Sequence, residues 1–231
     1  RQDGGDVSGP LAEEAAMLAD DMGAFSREAW RIIEPREPLA GLLLETHSEL
    51  MTRQNVAFSQ PYYSRHPWLH LQRGEVKPFL QAWYDTMAAI ADRETYTYIE
   101  HFFGASPHKT HEEAWFLMET RWMLYLESGR TLRLLAGAPR AYLADGQTVA
   151  VDGAASYFGP LSFSVESHVA QDEIRATVNC PGDRRPDNVE FRVPHPAGLR
   201  ANSVDGGIYD AATETVRIEH FTGTARITLR Y

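Results

Sequence analysis

The chain has 231 residues, 43% of them hydrophobic, enough for a sizeable core in one large domain or two smaller ones. Its 32 acidic and 22 basic residues leave a net charge of −10, which argues against broad nucleic-acid binding, because that needs a basic face to neutralise phosphates. No apolar run approaches the length of a membrane span, and the single cysteine, Cys180, excludes an internal disulfide.

The opening "RQDGGDVSGP" carries neither a signal peptide nor an initiator Met, and reads as a linker or cut end of a longer polypeptide. The first half then shows helical spacing. "SGPLAEEAAMLADDMG" has Ser8 as N-cap, Pro10 in the first turn and Gly23 as a stop. "SREAWRII" restarts at Ser26, and "PLAGLLLETHSELMTRQ" places Leu39, Leu42, Leu43 and Leu50 on one side. "SQPYYSRHPWLHLQRG" reads as a long aromatic loop, and long ordered loops in compact domains are usually functional. The next helix centres on Phe79 to Ile90. "THEEAWFLMETRWMLYLE" gives the last one, with Thr110 and Glu113 as a capping box and Trp115, Met118, Trp122 and Leu126 as its apolar stripe.

Period two takes over after Gly129. "RTLRLLAG", "TVAVD", "LSFSVES", "EIRATVN", "NVEFRVP", "TVRIEH" and "ARITLRY" alternate, and turn pairs such as Asp145-Gly146, Pro181-Gly182 and Asp205-Gly206 separate them. Short strands at this spacing imply an antiparallel β-sandwich. The expected organisation is α+β in two domains, helical over residues 1–129 and β over residues 130–231.

Titratable groups and aromatics crowd between Tyr96 and Trp122. Glycoside hydrolysis needs a protonated and an ionised carboxyl group, and sugars need aromatic faces and hydrogen-bonding groups around them. Glu100 follows Tyr96 and Tyr98 and precedes His101. At a helix end it would project into a cleft, where an apolar wall would raise its pKa and suit a general acid; the structural alternative is a capping or paired loop carboxylate. Glu113 is accounted for by the capping box, which leaves Glu112 as the better binding candidate. His108-x-x-His111-Glu112 invites a metal reading. However, zincin helices space their histidines one full turn apart, and Pro107 keeps His108 in a loop. Hydrogen-bonding histidines are the expectation, with no metal and no cofactor. Tyr62, Tyr63, His66 and Trp68 read either as a wall of sugar subsites or as aromatic cover over the helical core. Arg65 and Arg121 could hold an acidic sugar or neutralise nearby acids.

The segments "SQPYYSRHPWLHLQRGEVKPFLQAWYDTMA", "ETYTYIEHF", "THEEAWFLMETRWMLYLE" and "LRLLAGAPRAYLADGQTVAVDGAASYFGPLSFSVES" resemble the C-terminal part of six-hairpin, (α/α)6-barrel glycosidases and the β-sandwich that follows. The resemblance spans most of residues 38–205. It implies part of an (α/α)6-type toroid, a carbohydrate substrate, and glycosidic hydrolysis by a bacterial-type enzyme. Glu100, Glu112 and His101 would be catalytic, and Tyr62, Tyr63, His66, Trp68, Tyr96, His108, His111 and Trp115 would hold substrate. A full barrel needs far more helices than this chain supplies. The resemblance therefore also implies a partner: the missing N-terminal part of the barrel, on the same or a separate polypeptide, or an oligomer. Neither nucleic acid nor membrane is expected as a partner, and a secreted or periplasmic setting is favoured over a cytoplasmic one. Two rival readings remain open. One is a polysaccharide lyase using Tyr and His beside a uronate. The other is a non-catalytic module binding glycan or protein.

Overall fold

The structure, a computed structural model, describes residues 66–99, 108 and 110–231, with Arg36 and scattered helical positions between 38 and 45. It divides into two compact units, Arg1–Thr120 and Arg121–Tyr231.

In the first unit, α1 (His66–Arg73) and α2 (Val76–Ile90) are followed by a two-residue-per-strand hairpin, β1 (Ala91–Asp92) and β2 (Thr97–Tyr98), and then by most of α3 (Thr110–Leu124), whose residues 121–124 belong to the second unit. Residues 66–73 were expected in a loop, yet they form a helix that Pro67 suits, because its fixed φ and missing N–H fit a first turn. Helix α2 stops where Asp92 competes for the backbone. Its Oδ1 accepts from the N–H groups of Glu94 at 2.8 Å and Thr95 at 3.2 Å, and the β-favouring Thr-Tyr-Thr-Tyr run then turns back as β2.

The second unit is a sandwich of two five-stranded sheets. β3 (Tyr125–Ser128), β4 (Thr131–Leu134), β8 (Asn188–Arg192), β10 (Ile208–Asp210) and β11 (Thr215–Ile218) form one, in the order β10-β11-β8-β4-β3. β5 (Thr148–Ser156), β6 (Gly159–His168), β7 (Glu173–Asn179), β9 (Ser203–Asp205) and β12 (Thr224–Arg230) form the other, in the order β5-β6-β7-β12-β9. Alternation sends Leu132, Leu134, Phe163, Val165, Ile174, Val189, Phe191, Ile227 and Leu229 inward to one core. Phe163 and Phe191, one from each sheet, meet edge to face at 5.8 Å. The chain changes sheets between β9 and β10 at Gly206-Gly207. Gly206 has φ +91°, and a Cβ there would run into the Arg226 carbonyl oxygen.

Two expectations need correction. The sandwich is not purely antiparallel, because β4 and β8 pair in parallel. The chain leaves the first sheet after β4, builds β5 to β7 in the second, and returns alongside β4, a connection long enough for a parallel neighbour. The larger correction concerns the fold class. An α+β chain beginning with a segment of an (α/α)6-type toroid is not found: the described residues are mostly β, in two sheets, with few and short helices. The physical reasons are local. The β1–β2 hairpin interrupts the helical run, and the last helix gives way to strand at Tyr125, before Gly129, because "YLES" pairs with "TLRL" across a tight turn.

Candidate functional site

The inward face of α3 is not the stripe its apolar residues suggest. Leu117 is 70% exposed and Met118 is exposed too, whereas Glu112 and Glu119 are buried, Glu119 to 1%. Positions 112, 116, 119 and 123 follow the i, i+4, i+7, i+11 spacing of one helix face, so Glu112, Phe116, Glu119 and Met123 share it. Around Phe116 stand two more aromatics. Trp83 of α2 stacks on it with ring centroids 4.9 Å apart, and Tyr98 of β2 leans against it at 5.1 Å. Hairpin β1–β2 thus serves to present Tyr98 to α3.

This environment sets the electrostatics. Burial drives the Glu119 carboxyl well above the usual carboxylate range, and its Oε2 has no hydrogen-bond partner among the described residues. Burial of this kind favours the protonated, neutral form of the carboxyl. Burial also raises the Tyr98 phenol, and the negative charges of Glu119 and Glu113 add to that. Once Glu119 is neutral its share of that field disappears, and burial remains the main cause. The buried Trp83 Nε1–H also lacks a partner among the described residues. Each orphaned group costs about 1–3 kcal/mol, so this side of α3 carries polar groups that stability alone disfavours.

A second polar group closes α1. "HLQRGE" ends the helix with paired caps: the Gly74 N–H donates to the Leu71 carbonyl at 3.1 Å and the Glu75 N–H to the His70 carbonyl at 2.8 Å, with Gly74 at φ +76°. This is the Schellman arrangement, which needs a left-handed residue after the helix. It turns the Glu75 carboxylate back onto α1. His70 Nδ1 meets Glu75 Oε2 at 2.7 Å, and Arg73 Nε donates to Oε1 at 2.7 Å. Burial lowers the His70 pKa despite the opposing pull of Glu75, so the ring is neutral at pH 7. Burial pushes Glu75 up, but its bonds to His70 and Arg73 outweigh that and leave it lowered. A neutral imidazole oriented through Nδ1 by a carboxylate has the arrangement of a general base.

The described site residues fall on α1, the β1–β2 hairpin, α3 and the segment before α3. Glu100, His101, Tyr62 and Tyr63 lie outside the described residues. His66 and His111 lie in α1 and α3, with side chains outside the described set. Trp68 belongs to α1 and Trp115 to α3, both half-buried. Tyr96 sits at the β1–β2 turn with φ +58° and 91% exposure, and His108 is exposed with φ +74°. Glu112, the catalytic candidate among the described residues, lies on the buried face. Sequence reading missed Glu119, Tyr98, Phe116 and the His70–Glu75 pair. The i, i+7 spacing of Glu112 and Glu119 was a visible signal, obscured because Trp115, Met118 and Trp122 offered a more apolar stripe. Among the described residues no three His, Cys, Asp or Glu side chains converge on a metal position. No protein-family model matches the chain, and no curated protein matches it.

Proposed function

We propose that this chain belongs to a carbohydrate-active enzyme that hydrolyses glycosidic bonds, with the Glu112–Glu119 face of α3 supplying carboxyl chemistry. The observation that carries the reading is the buried Glu119 carboxyl, its pKa raised by that burial, on the α3 face that holds Phe116 against the Trp83 and Tyr98 rings. A general acid must hold its proton at working pH, and an apolar wall is how a glutamate does so. Glu112, two helical turns away, stands about 10.5 Å along the axis. The aromatic rings are what sugar C–H faces require, and the quoted segments that resemble six-hairpin glycosidases support the same chemistry without requiring the toroid.

Both carboxyls are sealed from solvent, so the reading requires that substrate displace part of their cover. The test is release of reducing ends from a panel of neutral and uronate-containing polysaccharides, with and without Glu112→Gln and Glu119→Gln. Each variant should lower kcat by about 10²-fold or more without lowering Tm. Wild-type turnover in both would remove this face from the mechanism. Products bearing an unsaturated uronate would establish lyase chemistry instead.

A further inference from the structure

Strand β8 of the first sheet is joined to β9 of the second through "VPHPAGLR", Val193 to Arg200, and the crossing is pinned at one residue. His195 opens a tight turn, with Pro196 next and Gly198 at φ +75°, and its carbonyl accepts from the Gly198 N–H at 2.9 Å. The same carbonyl accepts from Arg140 Nη1 at 2.7 Å. The residue is only 6% exposed, and its ring packs on that of Tyr231 with centroids 4.5 Å apart. Inside the turn, His195 Nδ1 lies 3.1 Å from the Ala197 nitrogen. A backbone N–H can only donate, so Nδ1 is the bare acceptor and the ring proton sits on Nε2. An imidazolium has protons on both nitrogens and accepts nothing. Protonation would set two N–H groups against each other inside this turn. Past the ring, no buried side chain holds the turn, since Ala197, Gly198 and Leu199 are all exposed.

We infer that His195 is an acid-sensitive latch: protonation at Nδ1 breaks its hold on the Ala197 N–H and frees the turn of residues 196–199 from the end of the sandwich. Four groups face the ring from other segments: Arg140 in the 3-10 turn Arg140–Leu143, Asp172 ahead of β7, Glu214 ahead of β11, and Tyr231 after β12. Burial is the largest influence on the ring and, with the Arg140 guanidinium, disfavours its charged form. The Asp172 and Glu214 charges pull the other way without overcoming them, so the ring titrates below the ordinary histidine value of 6.5. A histidine lowered in this way stabilises the fold through its neutral form. That contribution is complete above pH 6.5 and is lost as pH falls through the lowered folded value. Arg140 stays charged throughout, so its bond to the His195 carbonyl survives and the release is confined to the residues after His195. The latch lies in the β unit and does not depend on the chemistry proposed for α3.

The test is an NMR titration of the full chain from about pH 7.5 to about pH 4.5, following the His195 ring nitrogens and the backbone amides. At the upper end the ring should be the neutral tautomer with its proton on Nε2. On acidification the Ala197 amide should shift with a midpoint below 6.5 that matches the His195 ring. The heteronuclear NOEs of Ala197, Gly198 and Leu199 should fall over the same range while those of β8 hold. His195→Asn is the decisive variant. An asparagine oxygen accepts from the N–H two residues on without titrating, so this turn should stay ordered throughout and the Ala197 midpoint should vanish. His195→Ala should leave the turn mobile at both ends of the range. The latch is overturned by an Nδ1–H tautomer at neutral pH, by an Ala197 amide that does not move, by a transition that persists in His195→Asn, or by loss of the whole sandwich in the same step.

Discussion

The two units differ in how they treat buried polar groups. In the sandwich nearly all buried hydrogen-bonding side chains have a partner, the Tyr209 hydroxyl being the exception. The Ser167 hydroxyl donates to the Leu143 carbonyl at 2.8 Å, and His195 Nδ1 accepts from the Ala197 N–H at 3.1 Å. Arg192, with its pKa lowered to about 10 by burial, still donates to the Ala138 carbonyl at 2.8 Å and faces Glu214. Arg140 clamps that same Glu214 through two hydrogen bonds of 2.8 and 2.6 Å. In the helical unit, by contrast, Glu119 and Trp83 bury polar atoms that nothing described there satisfies. A scaffold that satisfies its interior is built for stability. One that carries uncompensated polar atoms has them for another reason, and such local conflicts concentrate at functional sites.

The strongest way to break this contrast is at the corner between the sheets. Gly206→Ala must hold a side chain at φ +91° against the Arg226 carbonyl, and should destabilise the sandwich by about 3 kcal/mol or more. Chemical denaturation measures it, and a loss below about 1 kcal/mol would mean that the corner relaxes easily.

Next comes the shared carboxylate. Glu214→Ala removes the bidentate partner of Arg140 and leaves Arg192 without its nearby negative charge. A loss of about 2 kcal/mol is expected, below the full effect for a deeply buried pair because the Arg140 side chain is partly exposed. Double-mutant cycles with Arg140→Ala would apportion it. Additivity in that cycle would show that the clamp contributes nothing, and the satisfied-scaffold side of the comparison would weaken.

The smallest effect carries the opposite sign. A raised carboxyl stabilises the fold through its protonated form. The contribution of Glu119 is therefore complete below the ordinary glutamate value of 4.5 and is lost as pH rises toward the raised folded value. Glutamine cannot ionise. Glu119→Gln should match the wild type near pH 4 and exceed it by about 1 kcal/mol near pH 8, read as Tm across the pH range. A variant that is less stable at high pH would show that the carboxylate is stabilised there as an anion, and the contrast between the units would fail.

Much of the β unit was legible in sequence because its signals are short-range. Strict alternation in "LSFSVES" and "EIRATVN" fixes which residues face the core, since a one-residue slip would expose all of them. Turn pairs such as Asp145-Gly146 mark where the chain reverses. Sequence could not reveal the parallel pairing of β4 with β8, because that depends on which distant strand arrives alongside. In the helical unit the apolar period located α2 and α3, yet it named the wrong face of α3. Trp115, Met118 and Trp122 are more hydrophobic than Glu112 and Glu119, and only the positions of Trp83 and Tyr98 make the glutamate side the covered one. The same limit applies to the candidate site. Composition pointed to a carboxylate among aromatic rings between Tyr96 and Trp122. Which carboxylate is held neutral is set by desolvation, a property of everything packed around the group, and so by tertiary structure alone.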